Sequence, residues 1–251
     1  MYTIHSELPF DRAALDRILD SLTLEESALA ALNHVFDFDL PTAVERIRQA
    51  DIASYEDLLG CCVPGLAILV LRAMSSAAGA RYELDGDVQI AEPTLYIGDL
   101  SIGGELEVYS TLLVVGNLSA AALCDVIYES GTVVGGDLLA RVVETESQMT
   151  VFGDLRARVI RCGGNDCSLV LAHDLYAEIL EQEDHDIGCY GELNAAVHLS
   201  YPGWRGATQA ASGIADRLDP VLLQEPDEDE NIVDWTKLFE RAVDGGPLLL
   251  S

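Results

Sequence analysis

Cys162, Cys167, His185 and Cys189 are the residues whose types and clustering come closest to a metal site. Thiolates and imidazoles are zinc ligands, and they must converge on one point in space to act as such. The candidate general bases are His5, His34, His173, His185 and His198. None of them lies in an HExxH pair or beside a nucleophile elbow. Gly163-Gly164-Asn165-Asp166 has the glycines of a phosphate loop, but no helix pattern opens behind it to present an N-terminus to an anion. The chain has 43 acidic residues, so paired carboxylates occur by abundance alone and single out no glycoside-cleaving pair. The expectation is a protein without a catalytic residue, without a metal and without a cofactor.

The charge balance says more. The net charge is −29, and Lys237 is the only lysine. Such a chain repels nucleic acid and anionic membrane and favours fast association with something basic. Hydrophobic residues make up 49 %, which excludes a disordered polyanion. The longest apolar run, Leu66 to Leu71, is far too short to span a bilayer. Residues Met1 to Glu7 carry no basic-then-apolar pattern of a secretion signal. The expected location is the cytoplasm, where the six cysteines would stay reduced. Their irregular spacing fits neither a disulfide framework nor paired zinc knuckles.

The elements that position these side chains are set by a repeat. Gly98-Asp99-Leu100, Gly116-Asn117-Leu118, Gly136-Asp137-Leu138, Gly153-Asp154-Leu155, His173-Asp174-Leu175 and Gly191-Glu192-Leu193 recur at steps of 17 to 20 residues. That period is the signature of a solenoid in which each unit adds one coil. Leu100, Leu118, Leu138, Leu155, Leu175 and Leu193 share one register position. Two places on stand Ile102, Ala120, Ala140, Ala157, Ala177 and Ala195. The alternation fits strands with one buried face. The repeated glycine suggests a corner at positive φ, closed by the following Asp, Asn or Glu accepting a backbone N–H. Carboxylates stacked in water at strand spacing repel by roughly 1 kcal/mol per pair, which such bonds must offset. Cys189 falls at the inward position held by Val114, Val134 and Val151, which favours a core thiol over a zinc ligand.

The flanks read as helical. Leu15, Ile18, Leu19 and Leu22 have helical spacing, Thr23/Glu26 and Ser54/Asp57 resemble capping boxes, and Pro64-Gly65 opens a buried helix. Beyond Tyr201 come Gly203, Gly206 and Gly213, then the acidic linker Pro226 to Glu230. A helix follows through Ile232, Trp235, Leu238, Phe239 and Ala242, stopped by Gly245-Gly246-Pro247. The expected fold is mainly β with α flanks: a single-stranded parallel β-solenoid of about six coils, capped by an N-terminal helical region and a C-terminal helix. Its divisions are residues 1–85 (helical), 86–200 (solenoid) and 201–251 (linker and helix).

Stacking of the coils lines up their connections into an acidic ridge. It comprises Glu129, Glu144, Glu146, Asp166, Glu181, Glu183, Asp184 and Asp186, extended by Asp227, Glu228, Asp229 and Glu230. Either it is a solvated turn ridge or it is a docking face for a basic protein. Arg141, Arg156 and Arg158, with Tyr176 nearby, form a second possible contact surface.

Val151-Phe152-Gly153-Asp154-Leu155-Arg156-Ala157 and Val134-Gly135-Gly136-Asp137-Leu138-Leu139-Ala140 resemble the polymer-forming β-helix repeats of the bactofilin superfamily. The resemblance covers roughly residues 94–199 and implies a solenoid that self-assembles end to end, although bactofilin tails are short where these flanks look folded. The whole chain, with Glu183-Asp184-His185-Asp186 and a Phe239-Glu240-Arg241-Ala242-Val243-Asp244-Gly245-Gly246-Pro247 ending, is similar to the acidic immunity proteins of bacterial polymorphic toxin systems. That likeness implies a monomer or small oligomer that masks the active or substrate-binding surface of a cognate toxin.

Overall fold

The computed structural model describes residues 1–36, 38–75, 79–125, 127, 130–164, 167–201, 216–223 and 233–250. Its body is a three-sided parallel β-solenoid. The first face stacks Thr94–Tyr96, Thr111–Val114, Gly131–Val134, Gln148–Val151, Ser168–Leu171 and Asp186–Cys189 in that order. The second stacks Gly98–Ile102, Leu118–Ser119, Leu138–Leu139 and Leu155–Arg156, then the leading halves of Leu175–Glu183 and Leu193–Tyr201. The third runs through Glu105–Val108, Ala122–Asp125, Val142–Thr145 and Val159–Cys162 into the trailing halves of those two long strands. The expected solenoid with helical flanks is present. It also starts earlier than the expected boundary. Ala80–Leu84 and Val88–Ile90 pair in parallel with the first repeat, and Thr3–His5 supplies their first-face strand.

The repeated leucines pair in unbroken register from Leu100 to Leu193. The five from Leu100 to Leu175 are buried. Leu193 lies on the last coil and is 38 % exposed, because no further coil covers it among the described residues. The small residues two places on pack against the same interior column.

The corner glycines have a different cause from the expected one. Of the repeat glycines only Gly98 has a positive φ, at 150°. At Gly116, Gly136, Gly153 and Gly191 the constraint is space. A Cβ there would lie 2.2 to 2.3 Å from the Oδ1 of the Asp or Asn one coil back. That oxygen reaches across to the next coil instead of closing its own corner. Asp99 accepts the Asn117 N–H (2.7 Å), Asn117 that of Asp137 (2.8 Å) and Asp137 that of Asp154 (2.9 Å). Asp174 accepts from Glu192 (2.8 Å). Where His173 replaces the glycine, the bond from Asp174 N–H to Asp154 stretches to 3.3 Å.

Five helices precede the repeats: α1 (Arg12–Ser21), α2 (Glu26–Val35), α3 (Leu40–Gln49), α4 (Tyr55–Cys61) and α5 (Pro64–Met74). Asp11, Asp39 and Ser54 cap α1, α3 and α4 by accepting a backbone N–H. The Ser54/Asp57 box forms, with Asp57 accepting the Ala53 N–H. The Thr23/Glu26 box does not, since α2 begins from Glu25 with no side-chain cap. Leu66, Ala67, Ile68, Val70 and Leu71 of α5 pack on the outer side of the first face, against Leu95, Ile97, Leu113 and Val115. Each large aliphatic buried this way contributes about 1.5–3 kcal/mol. Ala28, Ala31 and Leu32 of α2 continue the contact on Phe152, Val170 and Ala172.

The C-terminal segment covers the third face. Leu218, Leu222, Val233, Leu248 and residues Leu238 and Ala242 of α6 (Trp235–Asp244) pack on Ala122, Val142, Val159, Ile179 and Val197. Gly245 ends α6 in the left-handed conformation, as its position suggests. The flanks pack, among the described residues, on two faces of the solenoid. Among the described residues, the second face is left bare.

Gly153→Ala tests the spacing constraint. The added methyl would meet Asp137 Oδ1 at 2.2 Å and the Gly136 backbone at 2.6 Å. The expected cost is about 1–3 kcal/mol, read as a lower melting temperature. Gly60→Ala in α4, where nothing lies within 4 Å, is the control and should be neutral or mildly stabilising. Equal effects at both sites would remove the spacing argument.

Candidate functional site

Along the corner between the first and second faces, the ladder of Asp and Asn side chains carries the repeat's charge. Each of these side chains uses one oxygen to accept the next coil's N–H. The Glu192 N–H, then the Tyr176 hydroxyl, hold the Asp174 carboxyl below the usual carboxylate range. Arg156 pairs with Asp154 at 2.8 Å and lies 4.0 Å from the centre of the Tyr176 ring, whose hydroxyl donates to Asp174 at 2.7 Å. This end of the ladder is locally neutralised.

The expected ridge is divided by the structure. Glu144 and Glu181 lie on the outer side of the third face and sandwich Arg161, at 2.8 and 2.9 Å. Trp235 of α6 covers that guanidinium. Glu181 is 3 % exposed, so these two acids hold the C-terminal segment and are not a free docking face. Glu146, Asp184 and Asp186 do come out exposed at the edge between the third and first faces, with Glu183 partly buried beside them. Asp186 is paired with His34 of α2 at 2.7 Å, and the other nitrogen of that ring meets the Tyr190 hydroxyl at 3.0 Å. Glu129, Asp166 and Asp227 to Glu230 fall outside the described residues, as do Gly203, Gly206, Gly213 and Ile232.

The second expected surface is also corrected. Arg158 donates to the carbonyls of Ala242 (3.1 Å) and Gly246 (2.8 Å), and Arg141 to that of Val243. These guanidiniums meet the negative end of the α6 dipole and the orphan carbonyls there. Arg141 stays exposed while making that bond, and Arg156 stands outward over Tyr176.

Among the candidate ligands, Cys162 is fully buried in the core and Cys167 nearly so. Burial pushes the Cys162 thiol up, which disfavours the thiolate a metal would need. Cys189 packs against the interior, with its thiol toward the His173 carbonyl. His185 is 2 % exposed, held by the Gly163 carbonyl at 2.7 Å, and burial lowers its pKa. Among the described residues, no cluster of three or more His, Cys, Asp or Glu is placed to hold a metal. No helix among them is long and apolar enough to cross a membrane.

No family model, curated protein or solved structure matches this chain.

Sequence reasoning missed one buried acid. Asp125 is wholly enclosed inside the third face and accepts hydrogen bonds from Ser130 and, at 2.7 Å, Thr132. Its inward register, level with Thr145 and Cys162, was the available signal. Desolvation raises its pKa in spite of the hydroxyl donors. The folded carboxyl therefore binds its proton more tightly than the unfolded one. Its contribution to stability is complete below the unfolded pKa and is lost as pH rises through the folded pKa. Urea midpoints of wild type relative to Asp125→Asn should fall across that acidic window and then level off. A difference that does not change with pH would show that the buried carboxyl does not titrate as described.

Proposed function

We propose that this chain is a non-catalytic binding protein acting in the cytoplasm: an immunity protein that binds a cognate bacterial toxin and masks its active or substrate-binding surface. The observation that carries this reading is the excess of acid over base. The net charge is −29, from 43 acidic against 14 basic residues, and several of the few cations are engaged by backbone carbonyls. Arg12 and Arg48 donate to carbonyls in the helical layer, Arg72 to Gly135, and Arg141, Arg158 and Arg241 to the C-terminal segment. The outer surface carries this excess of acid, on a scaffold whose interior is a continuous hydrophobic column. Such a surface attracts a basic protein and repels nucleic acid and anionic lipid.

Masking needs rigidity and complementary charge, not chemistry. Co-expression with a toxin encoded next to this chain should restore growth and give a complex. Its association should slow as ionic strength rises past about 0.1 M, where the Debye length is about 10 Å. No complex and no rescue would end this reading.

A second reading, self-assembly through the solenoid, draws support from the strand edges. Among the described residues, Ala80–Leu84 at one end and Leu193–Tyr201 at the other each have a partner on one side only. Unpaired edges can template further strands. Sedimentation of the pure protein at micromolar concentration separates the readings, since a filament pellets and an immunity protein stays small.

A further inference from the structure

The second face is the only side of the solenoid that neither flank covers among the described residues. We propose that this face docks a basic α-helix of the partner, lying along the solenoid axis. The inference rests on the anionic binding role proposed above and names the surface and the shape that it fits.

Two columns of outward side chains run down this face. The ladder column passes through Arg81, Asp99, Asn117, Asp137 and Asp154, and the column beside it through Glu83, Ser101, Ser119, Leu139 and Arg156. The far half is satisfied internally by Arg156 and Tyr176. In the near half Arg81, one rung before Asp99, is paired with Glu83 at 2.9 Å and leaves the aspartates that follow without a cation. The ladder bond is the one hydrogen bond that Asp99 and Asp137 each accept among the described residues, and neither is in an ion pair there. Between this half and the end of α6 lies an open groove of about 710 Å³, bordered by Ser119, Leu139, Arg141 and Val243. Leu139 is 56 % exposed at its edge. Anionic positions beside an exposed apolar side chain and a groove suit a partner with cations and one apolar residue on the same stripe.

Spacing selects the helix. Successive coils are about 4.8 Å apart, so Asp99 and Asp137 lie two rungs or about 9.6 Å apart. A helix advances about 4.5–6 Å over three or four residues and about 10.5 Å over seven, which keeps its stripe level with the rungs. An extended strand repeats its same-side residues every 6.6–6.8 Å and falls out of step.

The charge on this column is also separable from the fold. Asn117 performs the same ladder bond as its aspartate neighbours, at 2.8 Å. The bond therefore needs only a side-chain carbonyl oxygen. Asp99→Asn/Asp137→Asn should melt like wild type while removing two outward charges.

The probe is a synthetic helical peptide with lysines at positions i and i+7 and a leucine between them on the same stripe. An isomer of equal composition, with its lysines spread around the helix, is the comparison. Binding to the full chain is followed by fluorescence anisotropy at low salt. The striped peptide should bind more tightly than the isomer, and the double variant should weaken it about tenfold. Glu146→Gln/Glu183→Gln, on the other edge, should leave it unchanged. Equal binding of both peptides, or no effect of the double variant, overturns the proposal. Loss confined to the Glu146→Gln/Glu183→Gln chain would move the docking surface to that edge and leave the binding role standing. If no peptide binds any of the chains, the basic-partner reading itself falls.

Discussion

The close approach of successive coils at one corner is the constraint on which the rest of the structure depends. Parallel strands are held about 4.8 Å apart by their backbone hydrogen bonds. At the corner between the first and second faces, that spacing leaves no room for a Cβ. The Gly116, Gly136 and Gly153 N–H groups bond the carbonyl one coil back at 2.8 to 2.9 Å, and an Asp or Asn oxygen fills the space that a methyl would take. This corner fixes the register. With register fixed, Leu100 through Leu175 stack into one column, and every outward residue stands level with its counterpart.

Register then decides what the outer faces must do. Outward positions on the first face include Leu95, Leu113, Val133 and Val170, which require an apolar cover and receive α5 and α2. Those on the third face include Val142, Val159, Ile179 and Val197, which receive the C-terminal segment. On the second face the corresponding positions are Ser101, Ser119, Leu139, Arg156 and Tyr176, a mostly polar set that can remain in water. The difference between two covered faces and one bare face follows from these few outward side chains. It needs no separate instruction for the helices.

Much of this was legible in the chain before folding. The leucine register, the small residues beside it, the buried α5 and the Gly245 stop all follow from periodicity and local stereochemistry. What was not legible depends on partners far apart in sequence. Thr3–His5 is too short for any pattern to mark it as the missing strand of the first coil. Glu144 and Glu181 read as surface acids because only the coil register places Arg161 between them, and only the returning chain places Trp235 above. Arg141 and Arg158 likewise gained their role from carbonyls about a hundred and about eighty-five residues away. The glycines were recognised for the wrong reason: positive φ is a local property, whereas the close contact belongs to the neighbouring coil.

The ladder explains how so much charge is compatible with a stable fold. Each ladder side chain accepts a backbone N–H with one oxygen, so its contribution to register is local and short-ranged. Its charge acts over a longer distance, adding to the net repulsion among the protein's many carboxylates through water. Salt screens the second effect and hardly touches the first. Added salt therefore relieves the self-repulsion of the free protein and would weaken the attraction proposed for a basic partner. Stability and the proposed binding would draw on the same carboxylates but respond to ionic strength in opposite directions. That separation lets the sequence carry aspartate where Asn117 shows that a neutral amide serves the fold.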